Sequence, residues 1–176
     1  MSLLKSLGDY SETIMGQAPP GTDCNKEGNG TPFVKAGEFG IDRPIIREWT
    51  TNPLKMAERD DVLICVVGAT SGKINRGENC AIGRSVAAIR ANKELLNINY
   101  LYFFLKSWSS RLLEMSQGAA QTVITKSMLH ELQIPLPPLD QQKKIASILD
   151  ATDGYRQKTK ALILKYDELT QSLFLE

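Results

Sequence analysis

The chain has 176 residues, 42% of them hydrophobic and 23% charged, with a formal net charge of +1. This is the composition of one folded domain with an appendage, and it excludes a disordered chain, which needs low hydrophobicity and a charge excess. Cys24, Cys65 and Cys80 are widely spaced without a CxxC pair, which argues against a zinc site or a disulfide framework and suits a reducing cytoplasm.

No run reaches the ~18 apolar residues that span a bilayer. The opening MSLLKSLGDYSETIMG holds no apolar core of signal-peptide length, so a cytoplasmic protein without membrane contact is expected. The charge is unevenly placed. Residues 1–61 carry seven Lys/Arg against ten Asp/Glu, whereas residues 62–112 carry seven against two. A positive patch segregated in the middle third can hold phosphates even in a neutral chain.

Residues 16–40, GQAPPGTDCNKEGNGTPFVKAGEFG, are dense in Gly, Pro and Asn and read as loops around a short strand at Phe33 and Val34. RPIIREW at 43–49 is a further candidate strand, closed by the turn residues TTNP. DDVLICVVGATSGKI then gives a β-rich apolar run at 62–67, a Gly-Ala-Thr-Ser-Gly turn and a return at Lys73 and Ile74, which predicts a strand and a hairpin. NCAIGRSVAAIRA adds two short strands broken at Gly83. Short strands joined by glycine-rich turns predict a compact, twisted β unit.

From Asn99 the period changes. Apolar residues at 101, 104, 105, 108, 112, 113 and 115 have helix spacing, with Asn97 or Asn99 as N-cap and Gly118 as stop. QGAAQTVITKSMLHELQIPLP returns to loop, a short strand, a brief helix capped by Thr125 and a final strand. The fold class is therefore α+β, with short helices in a β-rich body.

The tail is the most regular part. Ile145, Ile148, Thr152, Tyr155, Thr159, Leu162, Tyr166, Leu169 and Leu173 alternate by three and four residues, an unbroken heptad stripe that predicts a pairing, coiled-coil-type helix. One helix over 140–175 would be ~54 Å long, too long to lie wholly against a domain of this size. Between body and tail stands IPLPPLD, whose prolines lack amide donors and restrict the residues before them. They stop the last strand and fix the direction in which the helix leaves.

An active site is not supported. GATSGKIN places three residues between Gly68 and Gly72 where a phosphate-binding loop needs four, and Ile74 stands at the magnesium-ligating position. His130 lies beside Leu129 and Leu132 without a Ser or Cys motif and reads as a satisfied surface or core residue. Asp60 and Asp61 lack the nearby Glu-x-Lys of a metal-dependent nuclease. The two Pro-Pro pairs lack the flanking residues of an amino-methyltransferase loop, and no dinucleotide fingerprint is present. No catalytic residue and no metal ligand is expected.

At GNGTPFVKAGEF, DDVLICVVGATSGKI, the stretch from NYLYFFLKSWSSRLLEM through IPLPPLDQQKKIASILDATD, and the closing LTQSLFLE, the chain resembles a specificity subunit of type I DNA restriction-modification systems. The most specific part is the proline stretch with Leu139, Gln141 or Gln142, Lys144-Ile145 and Ile148-Leu149-Asp150. The resemblance implies a target recognition domain over 1–138 and a conserved spacer helix over 139–176. Full-length members alternate two such domains with two such helices, packed antiparallel. One copy of each here means a half-subunit that homodimerises or a fragment of a two-domain parent.

The resemblance also implies that the chain does no chemistry. It would read double-stranded DNA while a methyltransferase (modification) subunit and a restriction (motor-nuclease) subunit act, so that S-adenosylmethionine, ATP and magnesium belong to those partners and no cofactor to this chain. The expected DNA contacts are Lys73, Arg76 and Arg84 in the positive middle third, with Thr70 and Ser71 donating from the hairpin tip. A second loop, SQGAAQTVITK, offers Gln117 and Gln121 to adenine and Lys126 to a phosphate, and Lys35 and Arg43 are further candidates. Tyr102, Phe103, Phe104 and Trp108 read as core rather than as a base-stacking platform. Ile145, Ile148, Tyr155, Leu162, Tyr166, Leu169 and Leu173 are the pairing residues. Two such helices packed antiparallel would hold their heads apart on a bipartite site. The rival reading is a DNA-binding or coiled-coil adaptor unrelated to restriction.

Overall fold

The apolar run DVLIC forms β7 (Asp61–Cys65), all five of whose residues are buried, because β7 lies inside a sheet covered on both faces. Such strands lose the alternation of half-exposed ones and read as continuous apolar runs. Val62 and Ile64 point into one core with Ile89, Leu101, Leu105 and Leu112; Leu63 and Cys65 point into a second with Val34, Ile82 and Val86. The structure is a computed structural model that describes residues 4–117 and 123–174.

In chain order the strands before β7 are β1 (Leu4–Ser6), β2 (Ser11–Met15), β3 (Cys24–Asn25), β4 (Thr31–Val34), β5 (Trp49–Thr50) and β6 (Met56–Ala57). After it come β8 (Ile74–Arg76), β9 (Cys80–Ile82), β10 (Val86–Ala91), helix α1 (Ile98–Gln117), helix α2 (Lys126–His130), β11 (Gln133–Pro135) and helix α3 (Leu139–Phe174). The order β2-β10-β7-β8 makes an antiparallel four-stranded sheet, and β3-β5-β4-β9-β6 a five-stranded one in which only the β4–β9 pair is parallel. β1 and β11 pair antiparallel, Leu4 opposite Pro135, and so tie the beginning of the described chain to the segment that launches α3.

The predicted hairpin is present as β7–β8, and the predicted pair around Gly83 as β9 and β10. Asn97 is the cap of α1, its Oδ1 accepting from the amides of Asn99 and Tyr100, both at 3.1 Å. The predicted stop at Gly118 lies outside the described residues. Thr125 caps α2, accepting from the Met128 amide at 3.3 Å.

Two expectations are corrected. RPIIREW is not a strand along its length: of its residues only Trp49 lies in a strand, β5, and Pro44 makes an isolated bridge with Phe39. Pro44 cannot donate to a ladder, and the Ile45 amide instead turns back to the Glu38 carbonyl at 2.7 Å. His130 is not satisfied either, since its buried Nε2 has no hydrogen-bond partner among the described residues. Its ring lies where a side chain on residue 8 would be, a Cβ there falling 2.7 Å from the ring, so Gly8 makes the room.

α3 is one helix of 36 residues with no interruption at Gly154, ~54 Å at 1.5 Å per residue. Two stripes run along it. Gln142, Ala146, Asp150 and Asp153, spaced by four, four and three, face the body. The heptad stripe is exposed, Tyr155 at 71% and Leu173 at 70%. Residues 155–174 are all exposed and project beyond the body.

Candidate nucleic-acid interface

The β7–β8 hairpin turns through Gly68 and Gly72, at φ +81° and +83°, a backbone region that side chains with a Cβ resist. Ser71 N donates to the Gly68 carbonyl at 3.0 Å, Lys73 N to Thr70 at 3.0 Å and Gly72 N to Cys65 at 2.8 Å. The base of the turn is fastened to α1, where the Ser109 hydroxyl donates to the Gly72 carbonyl at 2.6 Å. Val67, Ala69 and Thr70 are exposed around the tip.

The two loops singled out in the sequence meet. Val67 bridges Val123, and the Ile124 amide donates to the Val66 carbonyl at 2.8 Å. On the other side the Val66 amide donates to the Ser85 carbonyl at 2.9 Å, and the Ser85 hydroxyl accepts from the Ala36 amide at 3.0 Å. These bonds assemble a groove of about 440 Å³ lined by Ala18, Lys35, Val67, Gly83, Arg84, Ser85 and Val123.

Arg84 is exposed on the groove wall and has no carboxylate in ion-pair range among the described residues. Lys35 is ion-paired with Glu48, whose hydrogen bond holds the ammonium pKa above its ordinary value. The Lys35 ammonium therefore stays charged at neutral pH. Thr70 stands at the exposed tip and Lys126 is exposed at the first position of α2. Gln117 is the last residue of α1; its side chain, and Gln121 altogether, lie outside the described residues.

Other candidates are placed elsewhere. Ser71 is 4% exposed, so its hydroxyl does not face out from the tip. Lys73 is exposed, but its Nζ donates to the Phe39 carbonyl at 2.8 Å. Arg43 donates to the Gly77 carbonyl and lies 3.8 Å from Glu78. Arg76, at the end of β8 remote from the tip, is turned into the joint with α3: Nε meets Asp42 at 3.0 Å and Nη2 meets Asp150 at 2.5 Å. Acidic neighbours thus neutralise Arg43 and Arg76 within the fold. Tyr102 is core as expected, and Phe103 and Phe104 are partly buried against it.

The joint itself was not foreseen. Gln142, 1% exposed, accepts from the Asn97 amide at 2.8 Å and donates to the Leu95 and Pro137 carbonyls at 3.0 and 2.8 Å. Lys106 meets Asp153 at 2.7 Å, which holds that carboxyl below its usual range. The signal was present as the 142-146-150-153 spacing, a second helical stripe beside the heptad one.

No group of three or more His, Cys, Asp or Glu among the described residues could hold a metal. Asp61 is buried and held bidentately by Arg90, both bonds at 2.9 Å, and Asp60 pairs with Lys93 at 2.7 Å. Burial pushes the Cys65 and Cys80 thiols up to about 11 and about 12, which keeps them protonated. No described helix is long and apolar enough to cross a membrane.

A β-rich head with a long projecting helix is the architecture of type I specificity subunits. The HsdS subunit of Thermoanaerobacter tengcongensis superposes with a TM-score of 0.77 at 35% identity, covering 89% of this chain and 38% of that one. A chain from a structure on complex assembly and conformational transition of the type I R-M system gives 0.78 at 37% identity, covering 90% and 39%. The S subunit of a type I restriction-modification system from M. genitalium shares the fold with a TM-score of 0.67 at 21% identity, covering 96% of this chain and 45% of that one. In sequence, the putative type I restriction enzyme MjaX specificity subunit of Methanocaldococcus jannaschii is 37% identical over 171 residues, 94% of this chain and 40% of that protein. The chain belongs to the type I restriction modification DNA specificity domain family, which matches residues 4–165. It spans about two-fifths of the length of these relatives.

Proposed function

We propose that this chain reads one half of a bipartite DNA site as the recognition part of a type I restriction-modification complex. The observation that carries the reading is the groove: two loops distant in sequence meet at Val67 and Val123, beside Arg84, a guanidinium without a carboxylate partner among the described residues. An arginine so placed can fork onto the O6 and N7 of guanine or onto phosphate, while Val67 and Val123 offer methyl groups to thymine. Lys126, and Thr70 at the tip, hold phosphates around it; Lys35 and Lys73 reach a phosphate only by leaving Glu48 and the Phe39 carbonyl, and Gln117 and Gln121 are offered to adenine. Ser71, Arg43 and Arg76 have structural roles instead. Family membership favours this reading over an unrelated adaptor.

On this reading residues 1–138 are the recognition domain and 139–176 the spacer helix, and the chain is non-catalytic and cytoplasmic. A modification subunit supplies the methyl transfer with S-adenosylmethionine, and a restriction subunit uses ATP and magnesium. The exposed stripe pairs antiparallel with a second spacer helix, that of another copy or of the remainder of a longer chain. The test is to map methylated adenines in cells carrying this chain with its modification subunit, wild type against Arg84→Ala. A bipartite motif in the wild type, lost or degenerate at one position in the variant, is expected, a contact of this kind being worth about 1–3 kcal/mol of discrimination. An unchanged motif in Arg84→Ala would remove Arg84 from the readout, and no motif at all would remove the function.

A further inference from the structure

Arg76 is bonded as a junction rather than as a surface cation. It sits on β8, the strand that returns from the hairpin tip, and only 17% of its side chain is exposed. Each guanidinium nitrogen has an acceptor on a different element. Nε donates to Asp42, in the loop between β4 and β5, at 3.0 Å; Nη1 donates to Asn99 on α1; Nη2 donates to Asp150 on α3 at 2.5 Å. The guanidinium carbon lies over the ring of Tyr102, 4.2 Å from its centroid, and 5.7 Å from that of Phe103. A lysine could supply the charge but not three donors directed in the fixed fork of a guanidinium.

The position of Asp150 along α3 gives this junction leverage. Gln142 pins the start of the helix, and Asp150 is eight residues further, ~12 Å along the axis, while Phe174 is thirty-two residues from the pin, ~48 Å. A helix pivoting at Gln142 therefore multiplies 1 Å of slack at Asp150 into ~4 Å at its far end. That is about one 3.4 Å base step of DNA. The same β-hairpin thus carries the reading tip at one end and the stay of the spacer helix at the other.

We propose that Arg76 is a positioning residue, which fixes the angle between the reading head and α3 and through that angle the spacing at which two half-sites are accepted. The spacing clause rests on the DNA-reading function proposed above; the angle clause stands without it.

The angle is measured on the whole chain by the distance distribution between nitroxides at Lys55→Cys on the head and Gln171→Cys on the projecting helix. A Cys24→Ser background leaves the remaining thiols buried, and dilution with unlabelled chain removes distances between copies. Arg76→Met and Asp150→Ala should each widen the distribution by about 4 Å per 1 Å of slack at the joint, with Arg76→Lys between them and the wild type. Distributions that superimpose on the wild type would overturn the proposal. Should Arg76→Met fail to fold, Asp150→Ala decides alone, because the Asp150 side chain is 64% exposed and makes no part of the core.

The consequence is read with the modification subunit present, on duplexes whose half-sites are moved apart or together by one and two base pairs. The wild type should prefer one spacing by about tenfold, as a single mismatch is penalised, and the two variants should lose most of that preference while still rejecting base changes inside a half-site. A preference as sharp in the variants as in the wild type overturns the spacing clause. If the wild-type complex recognises no DNA, the proposed function falls and takes the spacing clause with it, while the distance distributions still decide the angle.

Discussion

Replacing Gln142 by Met keeps the length and volume of the side chain and deletes its three hydrogen bonds. The Asn97 amide at the start of α1 loses its acceptor, and the Leu95 and Pro137 carbonyls lose a shared donor, at a position where the side chain is 1% exposed. A buried polar group left unpaired costs about 1–3 kcal/mol, and carbonyls tolerate it better than amides. The three together should destabilise the head–helix unit by about 2–4 kcal/mol. Gln141, its exposed neighbour, supplies the control: Gln141→Met should stay within about 0.5 kcal/mol. Urea titration followed by tryptophan fluorescence and far-ultraviolet circular dichroism reads the midpoint, with an unchanged slope showing that both variants unfold the same unit. If Gln142→Met matched Gln141→Met, the clamp at the base of α3 would be a bystander and the helix would be held by its ion pairs alone.

Gly72→Ala should destabilise by about 1–3 kcal/mol from its positive φ alone, and by more in sum because the new Cβ would lie 2.5 Å from the Ser109 carbonyl oxygen; Gly68→Ala, at a similar φ but with open space, should lose less, as thermal unfolding of the pair will show. Asp153, whose pKa is lowered by Lys106, contributes stability that is fully present above the ordinary aspartate range and is lost as pH falls through its depressed value, so the melting temperature of Asp153→Asn should fall less than that of the wild type below about pH 4. If the stripe pairs with a second copy, the wild type should associate with rising concentration in sedimentation, and Leu162→Ser with Leu169→Ser should abolish that association while leaving the melting of the head unchanged, since both side chains are exposed on the projecting helix.

What could be read in the sequence was what local chemistry decides. The hairpin around Gly68 and Gly72, the caps at Asn97 and Thr125 and the heptad stripe each declare themselves within a dozen residues. RPIIREW misled because the β-branched Ile45 and Ile46 follow directly on Pro44, whose missing amide breaks the ladder that their propensity suggests. Charge is harder to read: the partners of Arg76, Asp42 and Asp150, lie 34 and 74 residues away, where no window over the sequence sees them. Arg84 reads the same in the sequence, and only folding separates the arginine that has acceptors among the described residues from the one that has no carboxylate there.

The two stripes of α3 explain why a helix with so exposed a face is tolerated at all. A 20-residue projecting segment without tertiary packing would be marginal in water, and large apolar side chains in a row on it invite association. The inner stripe ends at Asp153, while the heptad stripe continues to Leu173 and begins at Ile145, beside the head. A partner helix that covered the whole stripe would run for ~42 Å, overlapping the segment bonded to the head at one end and the far end of α3 at the other. In the proposed antiparallel pair each far end would then lie beside the opposite head, so the rod would be supported at both ends. Two heads so separated would stand further apart than one ~34–36 Å turn of duplex, and the stiffness of that separation would rest on the few bonds at Gln142, Asp150 and Asp153.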